Sequence, residues 1–162
     1  LVSRDRSRRS LMELAVSHLV DIRAIQPVPE LQSGRGLYSR LFVVAKASGW
    51  WRAFLDLKFL NEFIPYRRFK MQTLHSILES VWKDDLLSSI DLTEAYLHIP
   101  IWPHHHQFLH FCYQNSHFQY QALAFGLSSA PRVFTKLLAA LVALLLSVAV
   151  RIQCYLDDIL IL

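Results

Sequence analysis

Cysteine is scarce in this chain, and its scarcity argues against two classes of protein. The 162 residues include only Cys112 and Cys154, and the two do not form a CxxC pair. This count disfavours a disulfide framework and a cysteine-rich metal module. Each cysteine lies in an apolar run, so the sequence predicts two buried free thiols in a reducing compartment.

Long apolar runs are also missing. The longest stretch without a charged residue near the end of the chain is 137–150, which has 14 residues. A membrane-spanning helix needs about 20 apolar residues. We therefore expect a buried core helix here and no membrane partner. Four arginines lie in the first ten residues, but no cleavable apolar segment follows them, so we expect no signal peptide. The sequence has no internal repeat.

Charge is distributed unevenly along the chain. Residues 1–75 contain 13 of the 17 Lys and Arg against 6 of the 13 Asp and Glu, a balance of +7. Residues 76–162 contain 4 basic and 7 acidic residues, a balance of −3. A basic half beside an acidic half is typical of a protein that contacts a polyanion with one part and binds cations with the other. Chance scatter on a solvated surface is the alternative.

Apolar periodicity predicts both helices and strands. Helical spacing is found at about 11–23, 74–81 and 129–147, and residues 1–10 are expected to form a mobile basic lead-in. Strand-like runs are found at 41–45, 51–57, 86–90, 108–113, 117–123 and 150–156, followed by a last strand to Leu162. This order predicts an α+β fold, an antiparallel sheet backed by helices.

Three acidic residues lie at the ends of apolar strand-like runs. Asp157 and Asp158 separate two such runs, and Asp91 ends another. Like charges held close together repel one another unless a cation compensates them, and hard divalent ions prefer carboxylate oxygens. If the strands are neighbours, the three carboxylates converge as a two-metal phosphoryl transfer requires. A simple polar turn at Asp157-Asp158 is the alternative.

Four segments resemble the sequence motifs of reverse transcriptases. Tyr155-Leu156-Asp157-Asp158 is similar to the YxDD box, and 89–96 (SIDLTEAY) resembles the first palm motif. Residues 123–131 (LAFGLSSAP) resemble the LPFGLxxAP segment, with Ala124 in place of proline. Residues 51–61 (WRAFLDLKFLN) resemble the fingers motif. All four occur in the family's order, and their wording is closest to DIRS-type tyrosine-recombinase retrotransposons.

The resemblance implies a catalytic metal site. Asp91, Asp157 and Asp158 match the family's metal-binding acids, and the backbone carbonyl of Leu92 is a further expected ligand. Two Mg²⁺ ions, with Mn²⁺ as a substitute, are the implied cofactors. The implied reaction is RNA-directed DNA synthesis, in which a primer 3′-hydroxyl attacks the α-phosphate of a dNTP.

The resemblance also implies a nucleotide-binding site. Lys46 and Arg52 match the fingers residues that hold the triphosphate, where cations stabilise the developing charge. Tyr96 matches the aromatic gate that rejects a ribose 2′-hydroxyl. Phe125 and Gly126 match the segment beneath the nucleotide and template. Asp56 and Asn61 are expected to be structural pairing residues.

The implied fold is a right-hand polymerase with fingers and palm, truncated before the thumb. We expect fingers and an N-terminal helix over 11–85 and palm over 86–162, with a fingers segment at about 100–125 inserted. The implied partners are an RNA or DNA template with its primer, dNTP, and the rest of a polyprotein (thumb, RNase H and recombinase). The family and the free thiols together predict an intracellular location, in the cytoplasm or nucleus.

Other functions are compatible with the sequence. A truncated or decayed remnant would bind nucleic acid without polymerising, and Trp50 and Ala124 depart from the family pattern in a way that fits this alternative. An RNA-dependent RNA polymerase would need a smaller residue than Tyr96. Residues 104–106 are all histidine, but a loop is expected there, not a zinc site. Residues 66–70 (YRRFK) mix bases and aromatics, which is typical of nucleic-acid contacts.

Overall fold

A computed structural model describes residues 6–45, 51–148 and 150–162. The predicted α+β fold is confirmed. The helices are α1 (Arg6–Asp21), α2 (Lys58–Phe63), α3 (Leu74–Leu78) and α4 (Ala130–Ser147). The strands are β1 (Ile25–Pro27), β2 (Leu41–Ala45), β3 (Trp51–Leu55), β4 (Ser88–Asp91), β5 (His110–Tyr113), β6 (Ser116–Tyr120), β7 (Ile152–Tyr155) and β8 (Asp158–Ile161). All named strand pairs are antiparallel.

The chain divides into two compact units. The first unit comprises the chain up to Ile64 together with Tyr96–Ser128, and the second comprises Pro65–Ala95 and Ser129–Leu162. Each unit is therefore built from two separate stretches of sequence. The division into fingers and palm at residue 85, expected from the sequence, concerns functional subdomains and stays a prediction.

The first unit contains a three-stranded sheet and a hairpin. The sheet has the order β1-β6-β5, and β2 pairs with β3. Buried residues from α1, β3 and the sheet share one apolar core, in which Leu55, Phe111 and Tyr120 are almost fully enclosed. Enclosed aromatic and aliphatic side chains of this size each contribute roughly 1.5–3 kcal/mol by burial. This core fixes the backbone of β3, which carries part of the candidate site.

The second unit contains a three-stranded sheet with the order β4-β8-β7, and α4 packs against β7. Strand β8 is central and pairs with both neighbours. Ile159 and Ile152 are buried in this sheet, and Leu138 of α4 is also buried. A capping box at Thr73 begins the short helix α3, in which Thr73 and Ser76 bond each other's backbone N–H groups.

Several sequence expectations about local structure were wrong. Helix α1 begins at Arg6, so its first residues are basic ones that the sequence assigned to the mobile lead-in. Strand β1 and helix α2 were missed, since each is too short to show a period. Cys112 is exposed, not buried, although the buried His110 lies on the same face of β5, so the cover over this face ends between the two residues.

Helix α4 also differs from the expectation of a core helix. Of its residues only Ala130, Phe134 and Leu138 are buried in the structure. Its length and mean hydropathy are sufficient to cross a membrane, and 17% of that 18-residue window is buried. Length and composition alone give this result. The apolar run therefore forms a helix as predicted, but most of its side chains are not enclosed by the described chain.

Candidate active site

The hairpin between β7 and β8 carries two of the three predicted acids. Tyr155 pairs with Asp158, so only Leu156 and Asp157 form the turn. Leu156 has φ +52°, a left-handed conformation that costs an L-residue about 1–2 kcal/mol. Two-residue hairpins need positive φ at the first turn position or at both. The tight turn beside the acids therefore contains a strained backbone conformation at Leu156.

Strand β4 brings the third acid to the same hairpin. Asp91 is the direct cross-strand partner of Asp158, and residues so paired place their Cβ atoms about 4.5–5.5 Å apart on one face. The backbone N–H of Leu92 donates to the carbonyl oxygen of Asp157 at 2.9 Å. The two strands are neighbours in the structure, so the condition under which the acids can converge is met. The three acids therefore lie at one end of one sheet.

The environment of the acids differs from the expected one. Asp91 and Asp158 are exposed and Asp157 is half-buried. Strand β4 begins at Ser88 and not at Leu86, and Leu86 is 91% exposed. Asp91 and Asp158 therefore remain accessible to solvent. Cross-strand repulsion between their two carboxylates remains, since like charges directly opposite each other destabilise a sheet.

The donor set at this edge fits a hard divalent ion. Within the described residues, no group of three or more His, Cys, Asp or Glu side chains is arranged to hold a metal. Mg²⁺, however, keeps several waters and is usually bound by one or two carboxylates plus substrate phosphates. The exposed pair Asp91 and Asp158 supplies such oxygens, with water access for the rest of the shell. Joint binding by all three carboxylates stays a prediction.

Strand β7 is held by side chains from the segment before α3 and after it. The amide oxygen of Gln72 accepts from the backbone N–H of Cys154 at 3.0 Å, and the Gln72 amide also contacts Gln153. Arg151 forms an ion pair with Asp85, and its guanidinium lies 4.0 Å from the centre of the Trp82 ring. These contacts fix the strand that leads into the acidic turn.

The Arg151 guanidinium lowers the pKa of the Asp85 carboxyl, and a hydrogen bond from the backbone N–H of Trp82 lowers it further. The ionised form of Asp85 is thus the one that the folded chain prefers. None of these residues was singled out from the sequence. Their interaction depends on β7 and residues 80–85 being neighbours in the fold, which no local sequence pattern indicates.

A cluster of aromatic rings and one cation lies in the first unit. The guanidinium of Arg52 lies 4.4 Å from the centre of the Phe125 ring. Tyr96 stacks on Phe125 with 4.9 Å between ring centres, and Phe54 lies 5.6 Å away at a tilt. The structure therefore brings together three of the predicted nucleotide-binding residues. Phe54 is a fourth member that the sequence did not single out. Lys46 lies outside the described residues.

Gly126 follows Phe125 with φ +113°, a conformation that L side chains rarely adopt. A Cβ at this position would lie closer to the carbonyl oxygen of Leu55 than the 3.0 Å that real Cβ atoms keep. The backbone N–H of Leu55 also donates to the Phe125 carbonyl at 2.9 Å. The close approach of the Leu55 backbone therefore requires glycine at position 126.

A cavity of about 330 Å³ lies in the second unit, between α4 and the end of β7. Apolar residues line most of it, with Cys154, Tyr155 and Leu156 on the hairpin side. Burial raises the pKa of the Cys154 thiol, so the neutral thiol is favoured there. This cavity touches the residues directly before the acidic turn.

The histidine run at 104–106 is part of a short helix in the structure. His104, His105 and His106 lie in a 3₁₀ helix, Pro103–Phe108, where a loop was expected. A ring nitrogen of His106 bonds the carbonyl oxygen of Ile101 at 2.9 Å. His106 thus has a structural role, and within the described residues these side chains belong to no group of three or more His, Cys, Asp or Glu that could hold a metal ion.

Comparison with known families identifies the chain. The family model described as reverse transcriptase (RNA-dependent DNA polymerase) matches residues 23–162. The antiparallel sheet and its acidic hairpin lie within the matched residues. The chain belongs to the reverse transcriptase family.

Curated relatives are viral polyproteins. The chain is 29% identical over 129 residues to the Pro-Pol polyprotein of Simian foamy virus type 1, covering 80% of this chain and 11% of the relative. It is 28% identical over 109 residues to the genome polyprotein of Petunia vein clearing virus (isolate Shepherd), covering 67% of this chain and 5% of the relative. The chain thus spans about a tenth or less of these relatives. The closer likeness to DIRS-type elements stays a prediction.

Solved structures show the same fold. The foamy viral protease-reverse transcriptase dRH in complex with double-stranded DNA matches with a TM-score of 0.81 and 22% identity, over 98% of this chain and 26% of that one. The Prototype Foamy Virus protease-reverse transcriptase CSH mutant matches with a TM-score of 0.77 and 23% identity, over 98% and 20%. The predicted fingers-and-palm fold class is confirmed.

Proposed function

We propose that this chain is the core of an RNA-directed DNA polymerase that transfers a nucleotide from dNTP to a primer 3′-hydroxyl. The observation that carries the proposal is the pairing of Asp91 with Asp158 beside Asp157, in a chain of the reverse transcriptase family. Foamy viral relatives were solved with double-stranded DNA and with an RNA/DNA hybrid, which supports a duplex of primer and template as the partner.

The acids would hold the catalytic metals. Asp91, Asp157 and Asp158 are the proposed ligands of two Mg²⁺ ions, with the carbonyl of Leu92 as a further ligand. When bound, such ions activate the attacking hydroxyl and neutralise charge on the phosphates. The contribution of the protein is placement: β8 pairs with both neighbours, so the acids keep fixed positions along the sheet edge. Fixed position and charge, without a covalent intermediate, are sufficient for phosphoryl transfer.

The cluster in the first unit would bind the nucleotide. We assign Arg52 and Lys46 to the triphosphate and Tyr96 to the sugar. Stacking on Phe125 restrains the ring of Tyr96, and a restrained ring beside the sugar would be able to exclude a 2′-hydroxyl. Phe125 also orients the plane of the Arg52 guanidinium through a cation–π contact, and a guanidinium carries the donors that phosphate recognition uses.

The segment 66–70 is the proposed contact to the nucleic-acid backbone. Tyr66 is 85% exposed, and Arg67, Arg68 and Lys70 are exposed as well. Each phosphate contact that is lost should reduce the slope of log affinity against log salt by about 1. The double variant Arg67→Ala/Arg68→Ala should therefore bind primer–template more weakly and with a slope smaller by about 2. An unchanged slope would remove this segment from the interface.

The decisive experiment is primer extension on poly(rA)/oligo(dT) with dTTP and Mg²⁺, using the longest natural protein that contains this chain. Asp157→Asn keeps the size of the side chain and removes its charge. Loss of a residue that supports a metal ligand typically lowers metal affinity or activity by about 10–100-fold. Loss of a ligand itself should therefore lower the extension rate by more than about 100-fold. Asp84→Asn is the matched control, since Asp84 is exposed and asparagine tolerates its positive φ.

The outcomes separate polymerase from remnant. Extension by wild type and by Asp84→Asn, with loss in Asp157→Asn, supports the proposal. Salt-sensitive binding of primer–template without extension by any of the three proteins would reject it. That result would favour the remnant that binds nucleic acid without polymerising.

A further inference from the structure

Asn61 connects helix α2 to a segment far along the chain. Its side-chain Nδ2 donates to the carbonyl oxygen of Gly126 at 2.9 Å, and its Oδ1 accepts from the backbone N–H of Ser128 at 2.8 Å. One amide therefore satisfies an acceptor and a donor of the same backbone segment. Asparagine is a poor helix former, so a side chain used in this way is the physical reason for its place in α2.

Strand β3 holds the same segment from another side. The N–H of Leu55 donates to the Phe125 carbonyl, and Gly126 packs directly against the Leu55 carbonyl oxygen. Leu55 is itself 1% exposed and belongs to the core of the first unit. Residues 125–128 are thus fixed between β3 and α2, and Asn61 is the side chain that secures their far end.

The fixed segment carries the ring of Phe125. This ring is contacted by the Arg52 guanidinium, by the stacked ring of Tyr96 and by the tilted ring of Phe54. A shift of the backbone at 125–128 would move the ring, and the stacked Tyr96 and the cation would have to follow it. Asn61 therefore controls the geometry of groups that it does not itself touch in the structure.

We propose that Asn61 is a positioning residue for nucleotide selection, which acts by holding Phe125 where Tyr96 and Arg52 stack on it. This inference rests on the proposed function, because it assigns a role within the nucleotide site. Asn61 need not contact the substrate. Its effect should be found in the KM for dNTP and in the preference for dNTP over rNTP, because Tyr96 is the proposed gate against the 2′-hydroxyl.

Steady-state extension by Asn61→Ala and Asn61→Asp tests the role. Loss of two backbone hydrogen bonds should raise the KM for dTTP about tenfold and narrow the dTTP-to-UTP preference, with less change in kcat. The dissociation constant for primer–template should stay within about twofold of wild type. Asn61→Asp keeps the acceptor for Ser128 but turns a carboxylate oxygen toward the Gly126 carbonyl oxygen, so repulsion should raise its KM at least as much as in Asn61→Ala. Glu62→Ala, an exposed neighbour on α2, is the matched control and should match wild type.

A purely structural role predicts a different result. In that case Asn61→Ala lowers the melting temperature and the active fraction, but the active fraction keeps the wild-type KM and dTTP-to-UTP preference. That outcome overturns the inference.

If the wild type extends no primer, the proposed function fails and the selection role fails with it. Hydrogen exchange at the Ser128 amide then tests, without any polymerase activity, whether Asn61 holds the 125–128 segment. Faster exchange in Asn61→Ala than in Glu62→Ala supports Asn61 as the residue that holds the segment, and equal exchange overturns it.

Discussion

Gly126→Ala should destabilise the chain by about 3 kcal/mol, because one methyl group meets two obstacles. The φ of +113° is costly for any residue with a Cβ, and backbone strain of this kind costs of order 1–3 kcal/mol. The new Cβ would also overlap the carbonyl oxygen of Leu55. The overlap is with backbone, so a side-chain rotation cannot relieve it.

The magnitude follows from what must move. If the 125–128 segment shifts away from β3, the bond from Leu55 N–H to Phe125 and the bond from Asn61 to the Gly126 carbonyl both weaken. Each such bond contributes about 0.5–1.5 kcal/mol. Strain and weakened bonds together give about 3 kcal/mol. For a domain of this size, 1 kcal/mol shifts the melting temperature by about 2–4 °C, so we expect a decrease of about 6–12 °C.

The assay is thermal unfolding followed by circular dichroism, with Gly34→Ala as the matched control. Gly34 has φ +73°, and no atom lies within 4 Å of its ideal Cβ, so only the conformational strain of about 1–2 kcal/mol applies. Gly126→Ala should therefore melt clearly below Gly34→Ala. Equal melting temperatures would refute the close packing of Gly126 on Leu55, and with it the geometry on which the Phe125 cluster depends.

Three further predictions concern the second unit and the thiols. Asp85→Asn removes the ion pair of a carboxyl whose pKa is lowered, so its melting temperature should be below wild type at about pH 7. The difference should shrink as the pH falls from the unfolded pKa of about 3.9 through the lowered folded pKa, and a difference that does not shrink with falling pH would contradict the ion pair as its cause. Cys112 is exposed and the pKa of Cys154 is raised, so iodoacetamide followed by mass spectrometry should label Cys112 first. Leu138→Ala should cost about 2–5 kcal/mol in urea unfolding, whereas Leu144→Ala, at a 64% exposed position, should change stability by about 0.5 kcal/mol or less.

Hydrophobic patterning predicted the long elements well and the short ones poorly. The 18-residue helix α4 was expected, as were the strand-like runs that form the three hairpins β2–β3, β5–β6 and β7–β8, since their periods repeat. Helix α2, with 6 residues, and strand β1, with 3, hold too few repeats for a period to appear. Burial was less predictable than secondary structure. Cys112 and most of α4 are apolar yet not enclosed, because composition does not determine which neighbour covers a face.

The candidate site divides in the same way. The sequence alone determined which residue types were present: the acids of the YLDD turn, Asp91 at a strand end, and glycine beside Phe125. These residue types can be read directly from the order of amino acids, because they depend on local chemistry and on the order of the motifs. Only the tertiary structure decided that Asp91 pairs with Asp158.

The partners of Arg52 and Asn61 were likewise decided by the tertiary structure. Arg52 lies over Phe125, and Asn61 bonds a segment 65 and 67 residues away. Contacts of this kind depend on cross-strand register and chain reversal. They are set by which surfaces bury together, and no local pattern encodes them.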